Sequence, residues 1–221
     1  MMPDLVIVVE GLTKKYNSRE PVLDDVAFSI ERGESVAIHG KSGCGKTTLL
    51  NILGGLDRPD AGEVIVDGTS LGGLPENTLA RFRLEKIGFV FQDFNLLGDL
   101  TVRENLELPL TLSGRRDDGK VDEILDKFDI HNIAAEKATM ISGGEAQRTA
   151  IARAMMNEPK ILLADEPTGN LDDENAANVS SMFEMTRRDF GTTIVLATHD
   201  ADLAKNASKK ILLRDGKAVV Q

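Results

Sequence analysis

One eight-residue stretch constrains this chain more than any other: Gly40-Lys41-Ser42-Gly43-Cys44-Gly45-Lys46-Thr47. It follows directly on a compact apolar run, Ser35 to His39. It leads into Leu49, Leu50, Ile52 and Leu53, spaced as on one helix face and stopped by Gly54-Gly55. Every fixed position of the pattern G-x-x-x-x-G-K-[ST] is met, and strand, turn and helix follow in the order that the pattern requires. Glycines let such a turn wrap with its N–H groups inward, and a helix starting around Gly45 adds positive potential at its N-terminus. The stretch therefore reads as a phosphate cradle, with Lys46 the point charge for the outer phosphates and the Thr47 hydroxyl a ligand for Mg²⁺.

The rest of the chain supplies a sheet for that turn. Leu5 to Val9 and the alternating Val22 to Ile30 read as strands of one antiparallel layer, and Gly62 to Gly68 as another strand. Pro75 to Glu85 reads as a helix and Lys86 to Phe91 as the next strand. From Val102 to Phe128 the pattern is helical, broken at Ser113 to Gly119, which suggests a helical subdomain over about residues 95–157. A helix over Glu145 to Asn157, a buried strand at Ile161 to Ala164, a helix over Asn175 to Arg188 and a strand at Thr193 to Ala197 then alternate as in a parallel sheet. Asp215-Gly216, between two apolar runs, predicts a tight hairpin. The expected fold is a single α/β domain over 1–221: a mainly parallel core, an antiparallel β-layer and a helical insertion.

Ile161 to Ala164 ends in Asp165-Glu166, and parallel sheets place ligand sites at the carboxyl ends of their strands. Asp165 is placed to hold the Mg²⁺ shell, and Glu166 to orient and deprotonate an attacking water. Ile141-Ser142-Gly143-Gly144-Glu145 supplies a second helix N-terminus able to face an anion. Two such ends in one domain suit a nucleotide held between two chains.

Composition excludes several alternatives. The chain has 221 residues, 26 Lys+Arg and 36 Asp+Glu, a formal charge of −10, which argues against a surface that grips nucleic acid. Cys44 is the only cysteine, so no intrachain disulfide forms and a cytoplasmic setting is expected. Met1 to Glu10 lacks the features of a secretory leader, and no apolar segment approaches the roughly 20 residues that cross a bilayer, so a membrane role requires a partner. His39 and His131 fit no motif and read as structural.

Ile141 to Arg148 (ISGGEAQR) resembles the L-S-G-G-Q signature of the ATP-binding cassette (ABC) family, with Ile141 and Glu145 as mild departures. The resemblance runs from Leu5 to Val219 and implies a P-loop NTPase core of RecA type binding ATP with Mg²⁺. It implies that Gly40 to Thr47 together with Thr48 hold the nucleotide. Ser142, Gly143 and Gly144 of one copy would cover the γ-phosphate held by Lys46 of a second copy. Gln92 matches the glutamine that touches Mg²⁺ and water and relays nucleotide state, and His199 the switch histidine on the γ-phosphate. Pro167 to Asp172 (PTGNLD) resembles the loop that crosses the dimer, with Asp172 at its aspartate. Tyr16, the only tyrosine, resembles the aromatic that stacks on adenine.

Lys86 to Leu97 (KIGFVFQDFNLL), Leu100 to Leu110 and Ala164 to Asp172 resemble most the MacB/LolD group of exporters, which also includes FtsE. The resemblance implies a separate ATPase subunit at the cytoplasmic face, two copies driving a transmembrane permease. Lipoprotein, haem, macrolide and antimicrobial peptide are its possible cargoes. Phe94, Leu96 and Leu97 form an apolar patch where such cassettes receive the permease. An FtsE-like regulatory ATPase, signalling to a membrane partner without transport, carries the same motifs. A cassette acting on ribosomes or DNA would need tandem copies or a long coiled-coil insertion.

Overall fold

The computed structural model describes residues 4–16 and 20–221. Its elements in the first half are β1 (Leu5–Lys14), β2 (Leu23–Glu31), β3 (Ser35–His39), α1 (Lys46–Leu53), β4 (Ala61–Val66), β5 (Thr69–Ser70), α2 (Glu76–Lys86) and β6 (Ile87–Val90). There follow α3 (Val102–Ser113), α4 (Lys120–Lys127), a 3-10 turn at His131–Ile133 and α5 (Gly143–Met155). The chain closes with β7 (Ile161–Asp165), α6 (Asp173–Phe190), β8 (Thr193–Ala197), α7 (Ala201–Lys205), β9 (Lys209–Arg214) and β10 (Lys217–Val220).

Two sheets form. An antiparallel sheet has the order β2-β1-β4-β5; a mixed sheet has the order β10-β9-β3-β8-β7-β6, parallel from β9 to β6 with only β10 antiparallel. The α/β class and the antiparallel layer expected from sequence are both present. β3, β7 and β8 are short and apolar between their end residues, at Val36–Ile38, Ile161–Ala164 and Ile194–Ala197, because both faces of the sheet are covered and a two-sided strand has no polar face to show. α1 packs on β7 and β8 from one side and touches β4 on the other, so it lies between the two sheets. One core joins this helix to the antiparallel layer through Leu12, Ile30, Leu49, Ile52 and Val64. A second core, on the opposite face, joins Leu162, Ala164 and Leu196 to α3, α4, α5 and α6 through Leu106, Ile124, Phe128 and Ile151.

The boundaries differ from the sequence expectation in a few places. β1 runs on to Lys14, past Val9, because its pairing with β2 and β4 shifts register around Gly11, whose φ is +61°. α5 starts at Gly143, two residues before Glu145, because Ser142 and Glu145 close a capping box around the Gly-Gly pair. β5, the 3-10 turn and α7 were not expected; each is too short to carry a hydrophobic period. The Asp215-Gly216 hairpin forms as expected, with φ of 50° and 76° at the two turn residues.

The register fixes where chemistry can gather. Asp165 of β7 stands opposite Ala197 of β8, Ile38 of β3 opposite the same Ala197, and Val90 of β6 opposite Ala164. The carboxyl ends of four neighbouring strands therefore share one edge, from which Gly40, Gln92, Glu166 and His199 all depart.

Candidate functional site

The turn Gly40 to Gly45 wraps the N-terminus of α1. Gly45 has a φ of 102°, a conformation that side chains rarely adopt, and it lets the chain reverse straight into Lys46, the first helical residue. Gly40 is needed for space: a Cβ there would lie 2.3 Å from the Leu213 carbonyl oxygen and 2.7 Å from Cys44 Sγ. The turn is thus pressed against β9, with half-buried Cys44 packed on the first core. Lys41 and Ser42 are exposed. Thr47 is exposed and Thr48 half-buried on the first turn of α1.

Lys46 is 7% exposed, and its ammonium donates to the Gly40 carbonyl at 3.2 Å and lies 3.3 Å from Glu166 Oε1. The other carboxylate oxygen of Glu166 accepts from the backbone N–H of His199 at 3.1 Å and lies 2.7 Å from His199 Nδ1. Glu166 therefore joins the phosphate-loop lysine to the histidine after β8. It can do so because its backbone is left-handed, φ 46°, turning the side chain off the line of β7, while its N–H is held by the Ala197 carbonyl at 2.8 Å. A non-glycine residue in that region costs about 1–2 kcal/mol, and such strain gathers at functional positions.

Asp165 differs from its neighbour. Burial pushes its carboxyl above the usual carboxylate range; Thr47 opposes this by a hydrogen bond, the Glu166 charge adds to it, and Lys46 opposes it. Its Oδ1 is buried without a hydrogen-bond partner. An orphaned, desolvated oxygen anion beside a threonine hydroxyl fits a divalent cation, which would supply the missing interaction.

Gln92 is exposed, two residues past the end of β6. The Asn170 amide donates to the Gln92 carbonyl at 3.0 Å and lies 3.3 Å from Asp93 Oδ1, and the backbone at Gly169 approaches the Gln92 amide. Two residues on, Phe94 and Asn95 both have positive φ, 60° and 52°, and their carbonyls accept from Arg153 of α5. Sequence reasoning missed Asn170 and Arg153 as parts of this arrangement. Asn170 lies inside the PTGNLD stretch; nothing in the helical period of α5 marks Arg153.

Ser142, Gly143 and Gly144 open α5. The Ser142 hydroxyl donates to Glu145 Oε2 at 2.7 Å, and the same oxygen accepts from the Ser142 N–H at 2.8 Å. Gly144 lies against Asn175, which Asp172 caps through both its backbone and side-chain N–H groups, at 2.9 and 2.8 Å. Among the described residues, Ser142 to Gly144 share no hydrogen bond with Gly40 to Thr48. The structure brings Lys46, Thr47, Asp165, Glu166 and His199 together at the sheet edge, with Gln92 on the neighbouring strand end. It groups Ser142 to Gly144 with Asp172 and Asn175 instead.

Tyr16 is half-exposed. Its hydroxyl donates to Asp57 Oδ2 at 2.5 Å, and the Lys14 ammonium sits 5.1 Å from the ring centroid while donating to Asp57 Oδ1 and the Arg58 carbonyl, each at 2.8 Å. His39, the last residue of β3, contacts Gln221, and His131 lies beside Asp126.

Comparison with known proteins gives one consistent answer. The ABC transporter family profile matches residues 23–169. The chain is 42% identical to the lipoprotein-releasing system ATP-binding protein LolD 1 of Chlorobium chlorochromatii (strain CaD3), covering 97% of this chain and 91% of that protein. It is 41% identical to the ABC transporter ATP-binding protein YxdL of Bacillus subtilis (strain 168), covering 96% and 84%. Among solved structures it is similar, at 37% identity and a TM-score of 0.90 over 97% of each chain, to a dimeric ATP-binding cassette in a post-hydrolysis state with ADP and Pi bound. The chain belongs to the ABC transporter family, as one of its ATP-binding cassette subunits.

Proposed function

We propose that this chain binds and hydrolyses ATP between two copies of itself, and that the resulting opening and closing drives a transmembrane permease of the MacB/LolD kind at the cytoplasmic face of a membrane. Among the described residues, no helix is long and apolar enough to cross a membrane, so the permease is a separate chain in this reading. The observation that carries the proposal is the division of the site. Lys46 and Glu166 stand at one sheet edge, while the Ser142-Gly143-Gly144 helix end belongs to another cluster and engages no part of the phosphate loop. One chain offers half of each of two sites, and a two-fold pair completes both. The solved dimeric cassette similar to this chain supports that arrangement.

The chain's own residues divide the work. Inward N–H groups of Gly40 to Thr48 cradle the phosphates, and Lys46 meets the β- and γ-phosphates. Tyr16, backed on one face by Lys14, offers its ring to adenine; such stacking contributes about 1–3 kcal/mol. Thr47 and Asp165, with Gln92, would hold Mg²⁺, which when bound supplies charge compensation to the phosphate oxygens. Glu166 accepts a proton from water as the water oxygen bonds to the γ-phosphorus; the bond to the bridging oxygen breaks, and ADP and phosphate leave. His199, hydrogen-bonded to Glu166, orients that carboxylate and faces the γ-phosphate. Ser142, Gly143, Gly144 and the loop ending at Asp172 complete the site from the second copy. Because each ATP touches both copies, it stabilises the closed pair by its differential affinity for that state.

The helices from about residue 95 to 157 form the subdomain that meets the permease. Beside it an apolar cleft lined by Leu56, Phe89, Phe91, Leu108 and Pro109 lies close to the Phe94, Leu96 and Leu97 patch. Light scattering of the wild type and Glu166→Gln, with and without MgATP, tests the composite site. The variant is expected to become a dimer with MgATP and return to monomer without it. A variant that binds ATP and stays monomeric would remove the division of the site from the argument.

A further inference from the structure

Arg153 lies near the end of α5, the helix that opens with Ser142, and its guanidinium donates to the Asn95 carbonyl at 2.6 Å and to the Phe94 carbonyl at 3.0 Å. No carboxylate among the described residues pairs with it, and burial alone lowers its pKa. A half-buried guanidinium without a counter-charge is held by what its donors meet, and here two of its five N–H groups meet backbone carbonyls. Those carbonyls belong to successive residues with φ of 60° and 52°. A left-handed phenylalanine is sterically disfavoured and persists only where its surroundings over-determine it. Gln92 stands two residues before Phe94, and its own carbonyl is held from the opposite side by Asn170. The loop is therefore gripped between α5 and the segment after β7.

We propose that Arg153 is a positioning residue for Gln92: it holds the strained Phe94–Asn95 turn so that Gln92 stays at the strand edge beside Asp165 and Glu166, and it ties that geometry to the helix whose N-terminus serves the second copy. The proposal rests on the reading of Gln92 as a group of the ATP site. It extends that reading to a residue that touches neither nucleotide nor water and acts only through the loop. A helix that pivots when Ser142 meets its phosphate then carries the Gln92 loop with it through one side chain.

The test is a double-mutant cycle on the whole chain, reading steady-state ATP hydrolysis and thermal melting of Arg153→Met, Arg153→Lys, Gln92→Ala and the Arg153→Met/Gln92→Ala pair. Arg153→Met is expected to lower kcat about tenfold, the scale of a misplaced reactive group, while KM for ATP changes by less than about twofold. Arg153→Lys, which keeps the charge and a donor, is expected to restore part of kcat. On the Gln92→Ala background the Arg153 change should cost less than about a further twofold, because its target is already gone. If Arg153→Met does not fold, Arg153→Lys carries the cycle. Additive losses, an unchanged kcat, or a raised KM with kcat kept would overturn the proposal while leaving the role of Gln92 intact. A wild-type kcat for Gln92→Ala would overturn the role of Gln92 and this proposal together.

Discussion

At the scale of the residue, the two carboxylates ending β7 have been given opposite surroundings by one turn of backbone. Glu166 is bound on both oxygens, by Lys46 on one side and His199 on the other, whereas Asp165 keeps a buried oxygen with no partner. The consequence is a stability cost that nucleotide-free protein must carry. A carboxyl raised by burial contributes its full stability only below its unfolded value of about 3.9 and loses it as pH rises through the folded value, so at neutral pH the ionised Asp165 destabilises the fold. Asp165→Asn is therefore expected to raise the melting temperature at pH 7, without nucleotide or Mg²⁺, by about 2–4 °C. That corresponds to about 1 kcal/mol, the low end for a buried unsatisfied group. The difference should shrink as pH falls, because the raised carboxyl of the wild type takes up its proton before a free one would, and hydrolysis should be lost at every pH. A melting temperature equal to or below wild type at pH 7 would mean that the carboxylate has a partner in solution.

At the scale of the element, α3 and α5 begin with the same device: Thr101 with Glu104, and Ser142 with Glu145, each a closed capping box. Removing either hydroxyl should cost the same, about 1 kcal/mol. Thr101→Ala and Ser142→Ala are thus expected to melt alike. In the Glu166→Gln background only Ser142→Ala should abolish ATP-driven dimerisation, since only that helix end is proposed to serve a phosphate. Equal dimerisation of the two would reduce Ser142 to a cap. These elements also show what a sequence can disclose. The boundaries of β3 and the start of α1 were legible because glycine, charge and apolar runs coincide there, and the hairpin at Asp215-Gly216 because only a few residue pairs tolerate its dihedrals. The Glu166 clamp was legible only in part: a strand end located Glu166 and the family resemblance His199, but the left-handed turn that joins them left no pattern. Arg153 was invisible, because its partners lie 58 and 59 residues away and are backbone atoms, which carry no residue identity. α7 and β5 were lost for the simpler reason that so few residues have no period.

At the scale of the whole molecule, the formal charge of −10 sets a condition on the assembly that the site implies. Two copies that each carry this charge must approach face to face, each bringing an anionic nucleotide, and nothing in the overall balance draws them together. Long-range repulsion therefore opposes the encounter, while the contacts proposed to hold the closed pair, helix N-termini on phosphates and the loop ending at Asp172, would act only at short range. Salt separates the two, because the screening length falls from about 30 Å at 0.01 M to about 8 Å at 0.15 M, a change that silences the distant charges and leaves short contacts largely in place. ATP-driven dimerisation of Glu166→Gln is accordingly expected to strengthen as salt rises over that interval, with the dissociation constant falling on the order of tenfold. Sedimentation or light scattering across a protein dilution series at fixed MgATP measures this directly. A dissociation constant that instead rises with salt would place complementary charges within the interface itself, strong enough to outweigh the field of the whole surface. The acidic balance would then be a property of the faces turned away from the partner.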